Sequence, residues 1–513
     1  MIHISSKHRV VGVPYRPDVA NLFPSAKKVT LNGNPHIVIP HNLEETRVLR
    51  NLGYEIPAPV LSHYDWADGK PFEVQKKTVA MLTTNPRSYV LNGMGTGKTK
   101  SALWAFDYLR SVGMANKMLV VAPLSTMNFT WAREIFNTLP HLSSVTLHGS
   151  RTKRLERLAE DHDIYIINHD GLKVIADEIK NRKDIDVLCL DELAVYRNGG
   201  SDRTKKTREI AKHFPWVWGM TGSPTPNEPT DAWAQATIVT PNTVPKYFSR
   251  FREDLMQRVT QFKWVPKPDA IEKAFSALQP AVRYTLDDIL ELPEVVERTQ
   301  DIEMGPKQEK IYKQMKDNAY AAIAAKEITA MNAGAVLNKL LQISAGWVYA
   351  KEKEVVTLDN DNRLQALVDT IDSTERKVIV FVPFVHALQG IKTRLFKEGI
   401  ECEAVSGETP RAHRDQIFNI FQNTGKLRVL VAHPQCMAHG VTLTAADTII
   451  WFAPTTSLEI FEQANARIRR VGQKHKQLVL MFQSTDAERR MYSRLRSKQK
   501  VQNTLLEMFA ENS

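Results

Sequence analysis

SYVLNGMGTGKTKSALWAFDYLR, residues 88–110, decides the fold. Its first four residues are an apolar run of strand type. The next eight, Asn92-Gly93-Met94-Gly95-Thr96-Gly97-Lys98-Thr99, form a glycine-rich turn, and residues 100–110 have helical periodicity. A strand, a glycine-rich turn and a Lys-Thr pair opening a helix is the context of a phosphate-binding loop. Gly93, Gly95 and Gly97 allow close backbone approach, so consecutive N–H groups, that of Thr96 among them, can surround a β-phosphate. Lys98 is expected to reach the β- and γ-phosphates, and the Thr99 hydroxyl to ligate Mg²⁺. The strict pattern has Gly six residues before the lysine; here that residue is Asn92.

Outward from this loop, short apolar runs alternate with helical patterns from about 71 to 238: MLVVA (118–122), IYIIN (164–168), VLCL (187–190) and WVWGM (216–220). Such runs suit strands buried on both faces of a parallel α/β sheet. VLCL leads directly into Asp191-Glu192-Leu193-Ala194. A carboxylate pair at the C-terminal end of a buried strand lies where such sheets bind ligands. Asp191 is expected to hold Mg²⁺, and Glu192 to orient and deprotonate an attacking water. Two solvated loop acids are the bland alternative for a lone pair of this kind.

From 239 to 365 the pattern changes to long, charged, mostly helical segments, such as 308–328 and 335–347. The alternation returns from 366 to 513 with KVIVFV (377–382), ECEAVS (401–406), LRVLVA (427–432), DTIIWF (447–452) and QLVLMF (477–482). The plan is two α/β lobes, 71–238 and 366–513, joined by a helical insert, 239–365, with a cleft between the lobes. Residues 1–70 carry Pro14, Pro17, Pro24, Pro35, Pro40, Pro57 and Pro59. That density breaks helices and marks a small β-containing or irregular accessory module.

The 513 residues suit about three folding units. At 43% hydrophobic residues the chain can bury ample core. Lys plus Arg is 68 against 57 Asp plus Glu, a net charge of +11 that fits a polyanionic partner or merely a soluble basic protein. The three cysteines, Cys189, Cys402 and Cys436, sit in or beside apolar runs without a CxxC pair. They read as buried thiols of a reducing compartment rather than a disulfide or zinc framework. MIHISSKHRV lacks the apolar core of a signal peptide, and no apolar stretch approaches the ~18 residues that span a bilayer. The expected setting is intracellular, in a bacterial or phage-infected cell, without a membrane partner.

Seven segments in order resemble the superfamily-two helicases, and within them the Swi/Snf-type ATPases, over roughly 70 to 500. They are Asn92 to Thr99, Leu119 to Glu134 (LVVAPLSTMNFTWARE), Asp191-Glu192, Met220 to Asn227 (MTGSPTPN), Val378 to Phe384, Ala438 to Asp447 and Gln463 to Gln473 (QANARIRRVGQ). They look like motifs I, Ia, II, III, IV, V and VI. The resemblance implies two RecA-like lobes with ATP between them, and an adenine-reading glutamine that Gln75 matches; an amide can both donate to and accept from the adenine edge. Arg467 and Arg470, three apart on an expected helix, share a face. From there a guanidinium could stabilise the γ-phosphate in the transition state, so that hydrolysis requires lobe closure. Arg469 stands where the Swi/Snf pattern often has His. Ala194 departs from the DEAH form of motif II, and with it goes a side chain that links motif II to its neighbours.

Lobes of this class hold mainly the phosphate backbone. The candidates here are Ser125, Thr126, Asn168, Ser406, Thr442 and Thr444, each of which alone reads equally well as a cap or turn residue. Thr221 and Ser223 are expected to relay between the ATP site and the track, with Gln463 in the same coupling role. The basic tail 489–500 could track phosphates, and reads better as a packed helix with a solvated basic face. The LSTMNFTWARE form and the helical insert favour the Swi/Snf group, and that resemblance implies a DNA-dependent ATPase that moves on double-stranded DNA; a monomer is expected. A strand-separating DNA or RNA helicase, an ATP-gated nucleic-acid-binding protein with weak hydrolysis, and specificity supplied by an accessory protein stay open. A small-molecule kinase would need no second lobe of this kind.

Overall fold

The computed structural model describes residues 2–66, 70–225, 227–261, 263–289, 293–324, 330–349, 355–437, 442–470 and 472–497. Two compact units divide the chain between Ile289 and Leu290.

The first unit opens with an antiparallel sheet of β1 (His3–Ser5), β2 (Val10–Pro14), β3 (Lys27–Leu31) and β4 (Asn34–Pro40), in the order β1-β2-β4-β3. Alternation puts Val11, Val13, Ile37 and Ile39 on one face, where they close a small core with Val19, Phe23, Leu49 and Ile56. The proline-rich start is thus an ordered β module.

The main sheet of this unit comprises β5 (Arg87–Val90), β6 (Lys117–Ala122), β7 (Ser144–Leu147), β8 (Ile164–Asn168), β9 (Ile185–Asp191) and β10 (Trp216–Met220). After it come a hairpin, β11 (Met256–Arg258) with β12 (Trp264–Pro266), and a two-residue strand, β13 (Ala281–Val282). The order β13-β5-β10-β9-β6-β8-β7 is parallel throughout. Leu119, Val121, Leu188 and Leu190 face one core; Val120, Ala122, Val187 and Cys189 face the other. Burial on both faces is why these strands are continuously apolar.

The second unit has β14 (Val295–Asp301), the hairpin β15 (Trp347–Tyr349) and β16 (Val355–Thr357), then β17 (Lys377–Phe381), β18 (Cys402–Val405), β19 (Val429–Ala432), β20 (Ala446–Trp451) and β21 (Gln477–Gln483). Its six-stranded sheet runs β14-β21-β20-β17-β19-β18, again all parallel. The chain is therefore an α/β protein with two parallel sheets.

The expected insert at 239–365 is corrected by these sheets. Helices Phe248–Leu255 and Ala270–Ala277 pack on the first core through Phe251, Leu255, Ala270 and Ala274, and β13 extends the first sheet. Helices Pro306–Ala324 and Ala330–Ala345 belong to the second unit, whose sheet begins with β14. Helices overlap the stretches expected at 308–328 and 335–347, of which 325–328 lie outside the described residues and Trp347 opens β15; each half docks on the core of its own unit.

A buried ion pair organises the second unit. Arg363 and Glu488 are 2% and 0% exposed and lie 2.7 Å apart. The Arg363 guanidinium also donates to the carbonyls of Ser344 (2.9 Å), Phe452 (2.6 Å) and Phe482 (3.0 Å). Residues 486–497 form the tail helix, with Met491, Tyr492 and Leu495 buried. The rest of the basic tail lies outside the described residues. All three cysteines are buried thiols. Among the described residues, no helix is long and apolar enough to cross a membrane.

Candidate active site

The phosphate-type loop joins β5 to helix Lys98–Ser111. Gly95 and Gly97 have φ of +78° and +82°, conformations open to glycine at no steric cost. Lys98 Nζ donates to the carbonyls of Asn92 (2.9 Å) and Gly93 (3.0 Å), spanning the mouth of the loop. Thr96 Oγ1 donates to the Gly93 carbonyl at 2.9 Å. Thr99 is in the first turn of the helix, partly exposed.

Gln75 lies against this loop. It is 4% exposed at the start of helix Glu73–Thr84; its Nε2 donates to the Thr96 carbonyl (3.1 Å) and its Oε1 accepts the Phe72 N–H (2.9 Å). A β-carbon built at Gly97 would meet Gln75 Nε2 at 2.0 Å, so the third glycine is also fixed by this side chain.

Asp191 ends β9 and is held by two donors: Trp131 Nε1 on Oδ2 at 2.8 Å, and the Glu192 N–H on Oδ1 at 3.0 Å. Burial raises its carboxyl above the ordinary value, while the Trp131 bond and the Lys98 charge oppose the rise. Trp131 is fully buried in a π-helical turn, Met127–Ala132. Such turns are rare and concentrate at functional sites. Glu192 has φ +55° and ψ 54°, a left-handed conformation of the kind that a non-glycine residue adopts only where its surroundings impose it. Thr221 Oγ1 lies 3.5 Å from the Glu192 carboxylate. Thr221 in turn accepts the Ser223 N–H at 3.2 Å. Ala194 is fully buried in the short helix that follows. The links between the acidic pair and its neighbours thus run through Trp131 and Thr221. Their partners are 60 and 29 residues away, a pairing the sequence does not announce.

The loop after β10 is closed by Asp231, whose carboxylate accepts the N–H groups of Asn227 (2.8 Å) and Glu228 (3.3 Å). Burial holds Asp231 up at about 6; the Glu228 charge adds to this and Arg197 opposes it. An acid raised in the folded state binds protons that the unfolded chain has released, so stability is lost as pH rises from about 4 to about 6 and stays lower above that. Asp231→Asn should therefore unfold at a higher temperature than the native chain at pH 7.5, at about 2–4 °C per kcal/mol. The difference should shrink toward zero at pH 4, and a gain independent of pH would exclude this origin.

Other candidates divide. Asn168 Oδ1 is taken by Arg154 at 3.2 Å, and Thr126 Oγ1 donates to Pro123 at 3.0 Å as a turn residue. Ser125 is partly exposed beside it. Ser406 and Thr409 close a turn on one another's backbone N–H groups. In the second unit, Arg470 Nη1 donates to Thr442 Oγ1 at 3.2 Å, Thr444 Oγ1 accepts from Gln422 at 3.1 Å, and Gln463 Nε2 donates to Glu459 at 3.3 Å. Residues 438–441, within the stretch resembling motif V, lie outside the described residues.

Arg467 and Arg470 are not on a helix. Helix Leu458–Asn465 stops before them, and both occupy the turns that follow. The cause is long-range: the Leu443 N–H takes the Arg467 carbonyl (3.0 Å), and Gln473 Nε2 donates to the carbonyls of Ile468 (3.2 Å) and Ala446 (2.8 Å). These donors substitute for the next helical turn. They bring Arg470 onto Thr442 and leave Arg467 2% exposed.

The SNF2-related domain family matches residues 75–347, and the helicase conserved C-terminal domain matches 362–472. Protein p41 of Acyrthosiphon pisum secondary endosymbiont phage 1 is 26% identical over 468 residues, covering 85% of this chain and 98% of its own length. An uncharacterized ATP-dependent helicase of Mycoplasma genitalium is 25% identical over 424 residues, covering 81% of this chain. This chain spans nearly all of the phage protein but only 40% of the Mycoplasma helicase. The solved SWI2/SNF2 ATPase core of Sulfolobus solfataricus, in complex with dsDNA, is 20% identical, with 86% of this chain and 94% of that one covered and a TM-score of 0.40.

Proposed function

Since this chain belongs to the SNF2-related family of ATP-dependent helicases, we propose that it is a DNA-dependent ATPase that moves along duplex DNA. ATP is its fuel and duplex DNA its track. The observation that carries the coupling is the bond from Trp131 to Asp191. Trp131 belongs to the LSTMNFTWARE segment, whose Swi/Snf form favours a duplex track, and Asp191 belongs to the acidic pair expected at the phosphates. A shift of that segment on the track changes the donor to a carboxylate of the ATP site directly.

The chemistry follows from the side chains. Lys98 leaves the Asn92 and Gly93 carbonyls for the β- and γ-phosphates. Gln75, already against the loop, offers its remaining amide hydrogen and lone pair to the base. Glu192 takes a proton from the water whose oxygen attacks the γ-phosphorus, as the bond from that phosphorus to the β-phosphate oxygen breaks. Asp191 and the Thr99 hydroxyl are hard oxygen donors of the kind Mg²⁺ accepts, and they would hold it; when bound, it neutralises charge on the phosphate oxygens. Arg467 and Arg470 are proposed as the cations that stabilise the transition-state charge. Thr221 and Ser223 are proposed to pass the state of Glu192 into the loop after β10, and Thr442 and Ser125 to contact backbone phosphates.

The test is steady-state ATPase activity with no nucleic acid, single-stranded DNA, duplex DNA or RNA, with Lys98→Ala as control. Stimulation by duplex DNA supports the reading; stimulation by single strands or RNA alone turns it into that of a strand-separating helicase. Trp131→Phe keeps a buried aromatic six-membered ring and removes the N–H with the rest of the indole. It should lower the duplex-stimulated rate about tenfold, the effect of losing a hydrogen bond to a charged group. It should also raise the Mg²⁺ concentration needed for half-maximal rate. A variant with unchanged stimulation and Mg²⁺ dependence would disprove this coupling.

A further inference from the structure

Asn92 occupies the place where the phosphate-loop pattern has its first glycine, and its side chain has two partners on opposite sides. Nδ2 donates to Thr78 Oγ1 at 3.0 Å, and Oδ1 accepts the backbone N–H of Tyr284 at 2.9 Å. The Thr78 hydroxyl gives its own proton to the Val74 carbonyl at 2.7 Å, so it meets Asn92 as an acceptor, and this sets the amide with its oxygen toward Tyr284. Asn92 is 2% exposed, so both bonds are shielded from water.

The two partners belong to different gripping elements. Thr78 is on helix Glu73–Thr84, which also carries Gln75 against Gly97. Tyr284 is on the strap 280–289, the last stretch of the first unit before the chain enters the second. The strap follows β5 and the loop by three main-chain bonds: Tyr89 N–H to Pro280, Leu91 N–H to Val282 and Gly93 N–H to Tyr284, at 3.0, 2.9 and 2.7 Å. Its side chains close on the glycines as well. A β-carbon at Gly93 would meet Arg283 Nη1 at 3.2 Å, and one at Gly95 would meet Leu286 Cδ1 at 3.3 Å.

We infer that Asn92 is a positioning residue for nucleotide binding, clamping the mouth of the phosphate loop between the helix of Gln75 and the strap that leads out of the first unit. The inference rests on the nucleotide-binding reading of the Lys98 loop. Lys98 spans the carbonyls of Asn92 and Gly93; when its ammonium turns to a phosphate, the Asn92 carbonyl loses that donor and the Gly93 carbonyl keeps the Thr96 hydroxyl. The Asn92 side chain and the Gly93 N–H then keep the two residues in register with Tyr284. A glycine at 92 offers backbone freedom but no such tie. The strap thereby senses occupancy of the loop at its first residue.

The test uses the full chain and a fluorescent N-methylanthraniloyl-ADP, without nucleic acid. Binding by the native protein and not by Lys98→Ala establishes the nucleotide reading; absence of native binding overturns that reading. Asn92→Ala should weaken binding about tenfold, the effect of losing buried hydrogen bonds, with a smaller fall in kcat at saturating ATP. Hydrogen exchange in a peptide covering 281–289 should rise in the same variant. Asn92→Asp keeps an acceptor for the Tyr284 N–H but turns a buried carboxylate toward the Thr78 acceptor and the phosphates, and should bind no more tightly than Asn92→Ala. Should Asn92→Ala fail to fold, Thr78→Val removes one of the two ties and should weaken binding by a smaller factor. Native affinity in Asn92→Ala, or in Thr78→Val where that variant stands in, or unchanged exchange over 281–289 in Asn92→Ala, overturns the inference.

Discussion

Glu192→Gln should leave a protein that binds nucleotide and scarcely turns it over, with kcat lower by about 10²–10⁴-fold, the range of a lost general base. The substitution isolates the chemistry. Glutamine has nearly the same shape, carries no added branching at Cβ that would worsen the left-handed backbone at this position, and keeps an oxygen for the Thr221 hydroxyl 3.5 Å away. What it cannot do is accept the proton of the attacking water. Nucleotide affinity should stay native, because Lys98 and the loop amides are untouched. Phosphate release measured beside nucleotide binding separates the two effects. A kcat within about threefold of native would remove Glu192 from this role and send the search for a base elsewhere.

The largest stability effect is expected at the buried ion pair of the second unit. Arg363→Met should destabilise the second unit by about 3–5 kcal/mol, because it leaves the Glu488 charge buried without its partner. Three carbonyls, those of Ser344, Phe452 and Phe482, lose a donor at the same time. Glu488→Ala should act similarly by stranding the guanidinium. The double replacement of both by methionine should recover part of the loss, since an apolar pair of similar volume strands no charge. Denaturant titration followed by tryptophan fluorescence reads the effect. A loss of less than about 1 kcal/mol in the single variants would mean that water reaches the pair.

Much of this was legible from residue patterns. The continuously apolar runs became the central strands of both sheets, because a strand covered on two faces has no reason to alternate. Gly-Lys-Thr after β5 and Asp-Glu after β9 were readable because strand ends bring them to one crevice whatever else the chain does. Two of the edge strands were not readable, although the edge strand β18 was. β14, VVERTQD, is half exposed along its length and has no apolar rhythm; only its pairing with β21 makes it a strand. β13 is two residues long. These two strands, invisible in the periodicity, are what split the expected helical insert between the units.

The site shows the same limit. Asn92 looked like a defect in a motif because its partner Tyr284 is 192 residues away. Arg467 and Arg470 were put on a helix because local spacing allowed one, whereas Leu443 and Gln473 supply the donors that end it. In each case the deciding contact is remote in sequence, and local propensity carries no trace of it.

The edge strand and the buried pair also set an order of events during synthesis. The first sheet is complete once β13 has left the ribosome, with more than two hundred residues still to be made. The second sheet waits for nearly the whole chain: Asp301, ending β14, meets Gln483, 182 residues later, and Arg363 meets its countercharge only at Glu488. Late, distant closures of this kind fold slowly and expose apolar surface while they wait. The emerging chain therefore carries a finished first unit ahead of an open second one, and premature termination before Glu488 would leave that second core without the partner of Arg363.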